Sequence, residues 1–268
     1  MSEIVKRALT GAVYVALTLG AAFAGQWTTL LLFLPVCAIA AREWHRLVWA
    51  DDPDAPNEFT SIVLCSSAYL AIALVAILPQ WTVAHAGSVV LAVLSILSFL
   101  LMRRGSPQPA QELGALCATV LYVALPFGLI THLLEGGPEK FVGFMLLLWT
   151  NDTGAYLVGR AIGRTKLMPK VSPKKTVDGL LGGIALTMLV GWLLAHYWTV
   201  LSMQQWLLCS AVVAVMATIG DLLESAFKRA RGVKDSGTVL PGHGGILDRF
   251  DGFLLAAPGM WLTIHLLR

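Results

Sequence analysis

Residues Trp206 to Asp251 read WLLCSAVVAVMATIGDLLESAFKRARGVKDSGTVLPGHGGILDRFD. Up to Phe227 the stretch is apolar over about the 20 residues a helix needs to cross a bilayer, yet it carries Asp221 and Glu224 near its end. From Ser225 onward it gathers Lys228, Arg229, Arg231, Lys234 and Arg249 beside Asp235, Asp248 and Asp251, with Gly242, Gly244 and Gly245 around His243. Cations suit phosphate oxygens, carboxylates suit a hard divalent metal, and glycines let backbone N–H groups approach an anion closely. A membrane span that runs into such a loop points to metal-assisted phosphate chemistry at one membrane face.

The rest of the chain agrees about the membrane. Its 268 residues are 57% hydrophobic and 13% charged, with a mean hydropathy of +0.73, whereas a soluble domain is about 25% charged. A soluble fold is excluded, and an all-α polytopic membrane protein is predicted. About nine apolar stretches qualify as transmembrane helices: Ala8 to Ala24, Trp27 to Ala41, Ser61 to Leu78, Val83 to Met102, Leu113 to Leu134, Phe141 to Ile162, Gly179 to Tyr197, Trp206 to Phe227 and Phe250 to Leu267. The second continues through Arg42 to Trp49 as an amphipathic extension, and Asp51 to Asn57, with two prolines, breaks it. The first also has the outline of a signal peptide, but it passes almost directly into the second span, as a retained hairpin does. Cys37, Cys65, Cys117 and Cys209 lie far apart in apolar runs and read as structural. A net charge of +3 gives no reason to expect a nucleic-acid partner.

Cytoplasmic loops of membrane proteins carry the excess of Lys and Arg. With the N-terminus inside and nine spans, 17 of the 19 basic residues fall on the cytoplasmic side, leaving Lys140 and Arg268. This predicts a cytoplasmic N-terminus and a C-terminus outside. Residues 1–134 would form a scaffold of N-terminal spans, and residues 135–268 a catalytic region with cytoplasmic loops 160–178 and 228–249. Eleven of the 17 sit in those two loops, more than anchoring requires.

Carboxylates within spans are rare and commonly functional, an Asp at a helix centre costing about 2.5 to 3.5 kcal/mol on insertion scales. Asp221, Glu224, Ser225 and Lys228 fall at helical offsets of 0, 3, 4 and 7, so a polar stripe descends from the basic loop into the membrane. Asp248 and Asp251 share a face where the ninth span begins. Helix capping and metal binding both fit that pair. In the sixth span, Asn151 and Asp152 stand either as a site or as a hydrogen-bonded tie between helices, and Gly154, Ala155, Gly159 and Gly163 offer small surfaces for close packing. The loop that follows contains Ser172-Pro173-Lys174-Lys175-Thr176-Val177-Asp178-Gly179, whose lysines and hydroxyls can donate to phosphate.

Taken together, Ser225, Lys228-Arg229, Lys234-Asp235, Pro241-Gly242-His243-Gly244-Gly245 and Asp248-Arg249-Phe250-Asp251 resemble, with no gap, the pattern of phosphatidate cytidylyltransferases, also called CDP-diacylglycerol synthases. The run from Asn151 and the Ser172 to Thr176 segment are similar to the same family, so the motifs cover about the last 120 residues. Asp178 departs from the Glu usual there, which shortens the reach by one methylene. The resemblance implies transfer of CMP from CTP to phosphatidate, with Mg²⁺ required, at the cytoplasmic face of the inner membrane, by a homodimer. It implies Asp221 and Asp248 as principal metal ligands for one or two cations, with Asp251 beside them. It further implies Lys228, Arg229 and His243 in catalysis, and Asn151, Asp152, Ser172, Lys174, Lys175, Thr176, Ser225, Lys234, Gly244, Gly245 and Arg249 about the substrate phosphates.

Other CTP-using lipid enzymes, of the CDP-archaeol synthase or polyprenol kinase type, share this logic. A CDP-alcohol phosphotransferase does not fit, because Asp178-Gly179 continues as Leu-Leu-Gly-Gly. A cation-coupled transporter would explain acids within spans, but the halves show no internal repeat and the polar residues gather at one face.

Overall fold

Long apolar runs with few internal breakers satisfy every backbone hydrogen bond within one segment, so helices are the expected solution in lipid. The computed structural model, which describes residues 3–49, 55–105, 108–239 and 244–267, is built almost entirely of them. In chain order they are α1 (Glu3–Ala24), α2 (Gln26–Val48), α3 (Glu58–Ile77), α4 (Val83–Arg104), α5 (Pro109–Ala118), a π-helical segment (Thr119–Ala124), α6 (Leu125–Gly128), α7 (Ile130–Leu133), α8 (Glu139–Ile162), α9 (Val177–Tyr197), α10 (Met203–Ala230) and α11 (Leu247–Leu266). Each of the nine apolar stretches lies in this helical framework. Among the described residues six helical segments are long and apolar enough to cross a membrane: α2, α3, α4, the run Pro109–Leu133, α9 and α10. The chain is therefore an all-α, multi-pass membrane protein. In α1 the apolar part is Leu9–Ala24, α8 carries Glu139, Lys140, Asp152 and Arg160, and α11 carries Asp248, Arg249 and Asp251.

The chain divides into two units, the first comprising residues 1–135 and 235–249, the second residues 136–234 and 250–268. In the first, Asn57 caps α3 by accepting from the Phe59 N–H at 2.9 Å, and Gly105 ends α4 in a left-handed conformation at φ 72°. Polar ties run between its helices. Gln26 donates to the carbonyls of Ala76 and Thr131 at 3.2 and 3.0 Å, and Tyr69 donates to the Leu30 carbonyl at 2.9 Å. Phe33, Leu64, Tyr69, Phe127, Ile130 and Leu133 are buried around these ties.

The second unit is held together by close approach of backbones. A Cβ on Gly179 would sit 2.8 Å from the Ala155 carbonyl oxygen, and one on Gly154 would sit 3.3 Å from the Gly183 Cα, so α8 and α9 meet through small residues. Likewise a Cβ on Gly220 of α10 would fall 2.6 Å from the Asp251 carbonyl oxygen of α11. Between α8 and α9 the expected loop is in fact partly strand. Strands β1 (Lys166–Met168) and β2 (Ser172–Thr176) pair antiparallel, with Lys166 opposite Thr176 and Met168 opposite Ser172. Pro173 is tolerated because both members of a two-stranded hairpin are edges. The hairpin delivers Lys174, Lys175 and Thr176 to the start of α9.

Candidate active site

Thr176 is where strand becomes helix. Its hydroxyl oxygen accepts from the Gly179 N–H at 3.1 Å and caps α9. Asp178, two residues on, closes the connection after α8 by accepting from the N–H groups of Arg164 at 2.8 Å and Thr165 at 3.4 Å. The first contact is local, and the second closes the hairpin by tying its two ends together. The same segment borders a cavity of about 380 Å³ whose lining includes Asn151, Asp152, Tyr156, Arg160, Lys174, Lys175, Thr176, Thr218 and Asp221. Helix α8, strand β2 and helix α10 thus each send polar residues to one place.

Within that place the charges are arranged in opposition. The Lys175 ammonium pairs with Asp221 Oδ2 at 2.5 Å, and Ser225 donates to Asp221 Oδ1 at 3.2 Å. Asp152, Asp221 and Asp251 lie within electrostatic reach of one another, so their like charges repel and a cation among them would relieve that repulsion. Asn151 is buried on α8 beside them. One turn beyond Asp221, Glu224 is wholly buried and accepts from Lys228 Nζ at 3.0 Å. The offset of four residues that put both on one helical face therefore joins them in an ion pair.

The remaining residues expected at the site have other surroundings. Arg229 donates to the Val233 carbonyl at 2.8 Å and holds the turn after α10. Lys234 and Arg249 are exposed, and Ser172 is half-buried on β2 without lining the cavity. Asp251 Oδ1 accepts from the Gly252 N–H at 2.7 Å. In the first unit, Asp248 Oδ2 accepts from the N–H groups of Ser236 and Gly245, each at 2.8 Å. Gly244 has φ +84°, and a Cβ there would press on the same Asp248 oxygen at 2.8 Å. His243 lies outside the described residues.

A family model described as the cytidylyltransferase family matches residues 5–267. The chain belongs to the cytidylyltransferase family. It is similar to the phosphatidate cytidylyltransferase of Staphylococcus haemolyticus, with 34% identity over 242 residues, 86% of this chain and 88% of that one. It is 44% identical over 142 residues to the phosphatidate cytidylyltransferase of Staphylococcus epidermidis, and 42% identical over 142 residues to that of Staphylococcus aureus. In these two the matched region spans about half the length of the relative, 54%, and 52% of this chain.

Several contacts at this site have no signature in the local sequence. The pairing of Lys175 with Asp221 joins a hairpin to a helix 46 residues further on, and nothing in either local pattern selects the partner. Thr218, Tyr156 and Arg160 join the lining because they lie three to four residues from Asp221, Asp152 and Tyr156 respectively, and helical spacing could have suggested them. Glu43 is less visible still. It is 3% exposed, and it was legible only as one polar residue in the amphipathic end of the second span.

Proposed function

We propose that this chain transfers CMP from CTP to phosphatidate, forming CDP-diacylglycerol and releasing pyrophosphate. The observation that carries the reading is the cavity in which Asp152 and Asp221 face Lys174, Lys175 and Thr176. A phosphate monoester has a second pKa of about 6, so at neutral pH phosphatidate is largely dianionic and needs no dedicated general base. One of its phosphate oxygens bonds to the α-phosphorus of CTP, the bond from that phosphorus to the bridging oxygen breaks, and pyrophosphate leaves with the electron pair. The protein's task is alignment and neutralisation of charge. In this reading Lys174 and Lys175 hold phosphate oxygens, and the arriving triphosphate competes with Asp221 for the Lys175 ammonium.

The donors present fit Mg²⁺. It is commonly held by one or two carboxylates together with substrate phosphates, and Asp152 and Asp221 line the same cavity with Asp251 in electrostatic reach. Among the described residues no group of three or more His, Cys, Asp or Glu is set in a metal-binding arrangement. When bound, Mg²⁺ supplies neutralisation of the phosphate oxygens and of the departing pyrophosphate. We also assign Asp248 as a metal ligand on the strength of the family pattern, with His243, Lys228 and Arg229 in catalysis and Lys234 and Arg249 as phosphate-facing groups on the same ground.

We further propose nine spans, a cytoplasmic N-terminus, a C-terminus outside, an active site facing the cytoplasm across the inner membrane, and a homodimer. The distribution of Lys and Arg supports the orientation, and a site at that face can receive both a soluble nucleotide and a lipid. The test is the purified full-length protein in detergent with CTP, phosphatidate and Mg²⁺, scored for CDP-diacylglycerol and pyrophosphate. Both products in equal amounts are expected. No product with phosphatidate from folded protein overturns the reading.

A further inference from the structure

We propose that Glu43, on α2, is a positioning residue that anchors the two ends of the segment carrying Asp248 and thereby sets where the Asp248 carboxylate stands. The inference rests on the reading of Asp248 as part of the catalytic machinery. Glu43 Oε2 accepts from the Leu247 N–H at 2.8 Å and from the Ser236 hydroxyl at 3.3 Å, while Oε1 accepts from the Ile246 N–H at 3.1 Å. Leu247 opens α11, so Glu43 takes N–H groups that the helix itself leaves without a partner. Asp248 binds the same two ends, Ser236 and Gly245, through their N–H groups. Two carboxylates therefore hold residues 236 and 245–247, and Ser236 is shared between them.

The packing leaves Gly237 and Gly245 little choice of position. A Cβ on Gly237 would fall inside contact distance of the Glu43 carboxylate, and one on Gly245 would fall on both Ser236 Oγ and Glu43 Oε2. Glu43 itself is buried, and its partners are all donors of this segment, with no Lys or Arg among the described residues paired to it. A buried carboxylate is costly unless hydrogen-bonded, and it directs its donors far more narrowly than an apolar side chain would. Glutamine at this place keeps the shape, but its NH₂ end would oppose an N–H donor, so at least one tie is lost.

Glu43→Gln is the variant to make in the full-length protein, purified in detergent and shown to be folded by size-exclusion chromatography. Residues that orient a metal ligand typically alter affinity or activity by about 10 to 100-fold. We therefore expect kcat to fall by about that factor and half-saturating Mg²⁺ to rise by about tenfold or more. Amide hydrogen exchange is read in parallel, and exchange in residues 244–249 should quicken by about tenfold while residues 172–182 stay unchanged. Wild-type kcat and Mg²⁺ dependence in folded Glu43→Gln would overturn the proposal, whatever the exchange shows. So would a loss of activity matched only by a smaller folded fraction. Should that variant not fold, Ser236→Ala decides, with about a twofold to fivefold rise in half-saturating Mg²⁺ expected and an unchanged value overturning. If the wild-type protein makes no product, the failure belongs to the proposed reaction, and the exchange comparison still tests whether Glu43 anchors the segment.

Discussion

The two units use carboxylates in opposite ways. In the first, Glu43 and Asp248 are turned onto donors of Ser236, Gly245, Ile246 and Leu247, so their negative charge organises the backbone there. In the second, Asp221 meets a lysine and a serine hydroxyl at the wall of a cavity, with Asp152 lining the same space. A carboxylate tied to backbone N–H groups is held in one position, because moving it leaves buried donors unsatisfied. One paired with a lysine side chain at a cavity wall can exchange its partner for a phosphate-bound cation at small cost, since the lysine then takes the phosphate. The first arrangement fixes where a carboxylate stands, and the second lets one change its partner.

If that contrast is right, the largest loss comes from Asp221. Asp221→Asn should lower turnover by about 10³-fold, the scale seen when a group stabilising transition-state charge is removed, while thermal unfolding stays near wild type. An activity within threefold of wild type across Mg²⁺ concentrations would break the comparison at its functional end. Lys175→Met comes next. A cation that both balances Asp221 and holds phosphate should cost about 10²-fold in kcat/KM, and Lys175→Arg should recover part of it, as steady-state assays varying CTP will show. Equal damage from Met and Arg would mean that packing, not charge, is what matters there.

Gly245→Ala probes the shape-holding end. Its added methyl meets Glu43 and Ser236, and overpacking of this kind costs about 1 to 3 kcal/mol, to be read as a lower unfolding temperature in detergent. An unchanged temperature would show that the Glu43 grip can yield. The smallest effect belongs to Thr176→Ala, where loss of the α9 cap should cost about 1 kcal/mol. Thr176→Ser keeps the accepting oxygen and should retain most of that stability, and equal behaviour of the two would remove the cap from the account.

The fold class was legible because it depends on composition and run length. Nine apolar stretches became helices, and the extension of the second span through Arg42 became the last turns of α2. The hairpin of β1 and β2 was not legible, since five residues around a proline carry too little periodicity to separate strand from loop. At the candidate site, the relation of Glu224 to Lys228 could be read from an offset of four. The meeting of Lys175 with Asp221 could not.

By itself, then, the sequence determined an all-helical membrane protein with acids inside its spans and cations in its late loops. It also determined the family, because the residues from Ser225 to Asp251 keep a fixed spacing. Tertiary structure alone decided which carboxylates face a cavity and which are tied to backbone. That choice depends on where α8, β2 and α10 bring their side chains, and on a glutamate nearly 200 residues from the segment it grips. Local spacing encodes the face of a helix, but only the folded chain says what that face meets.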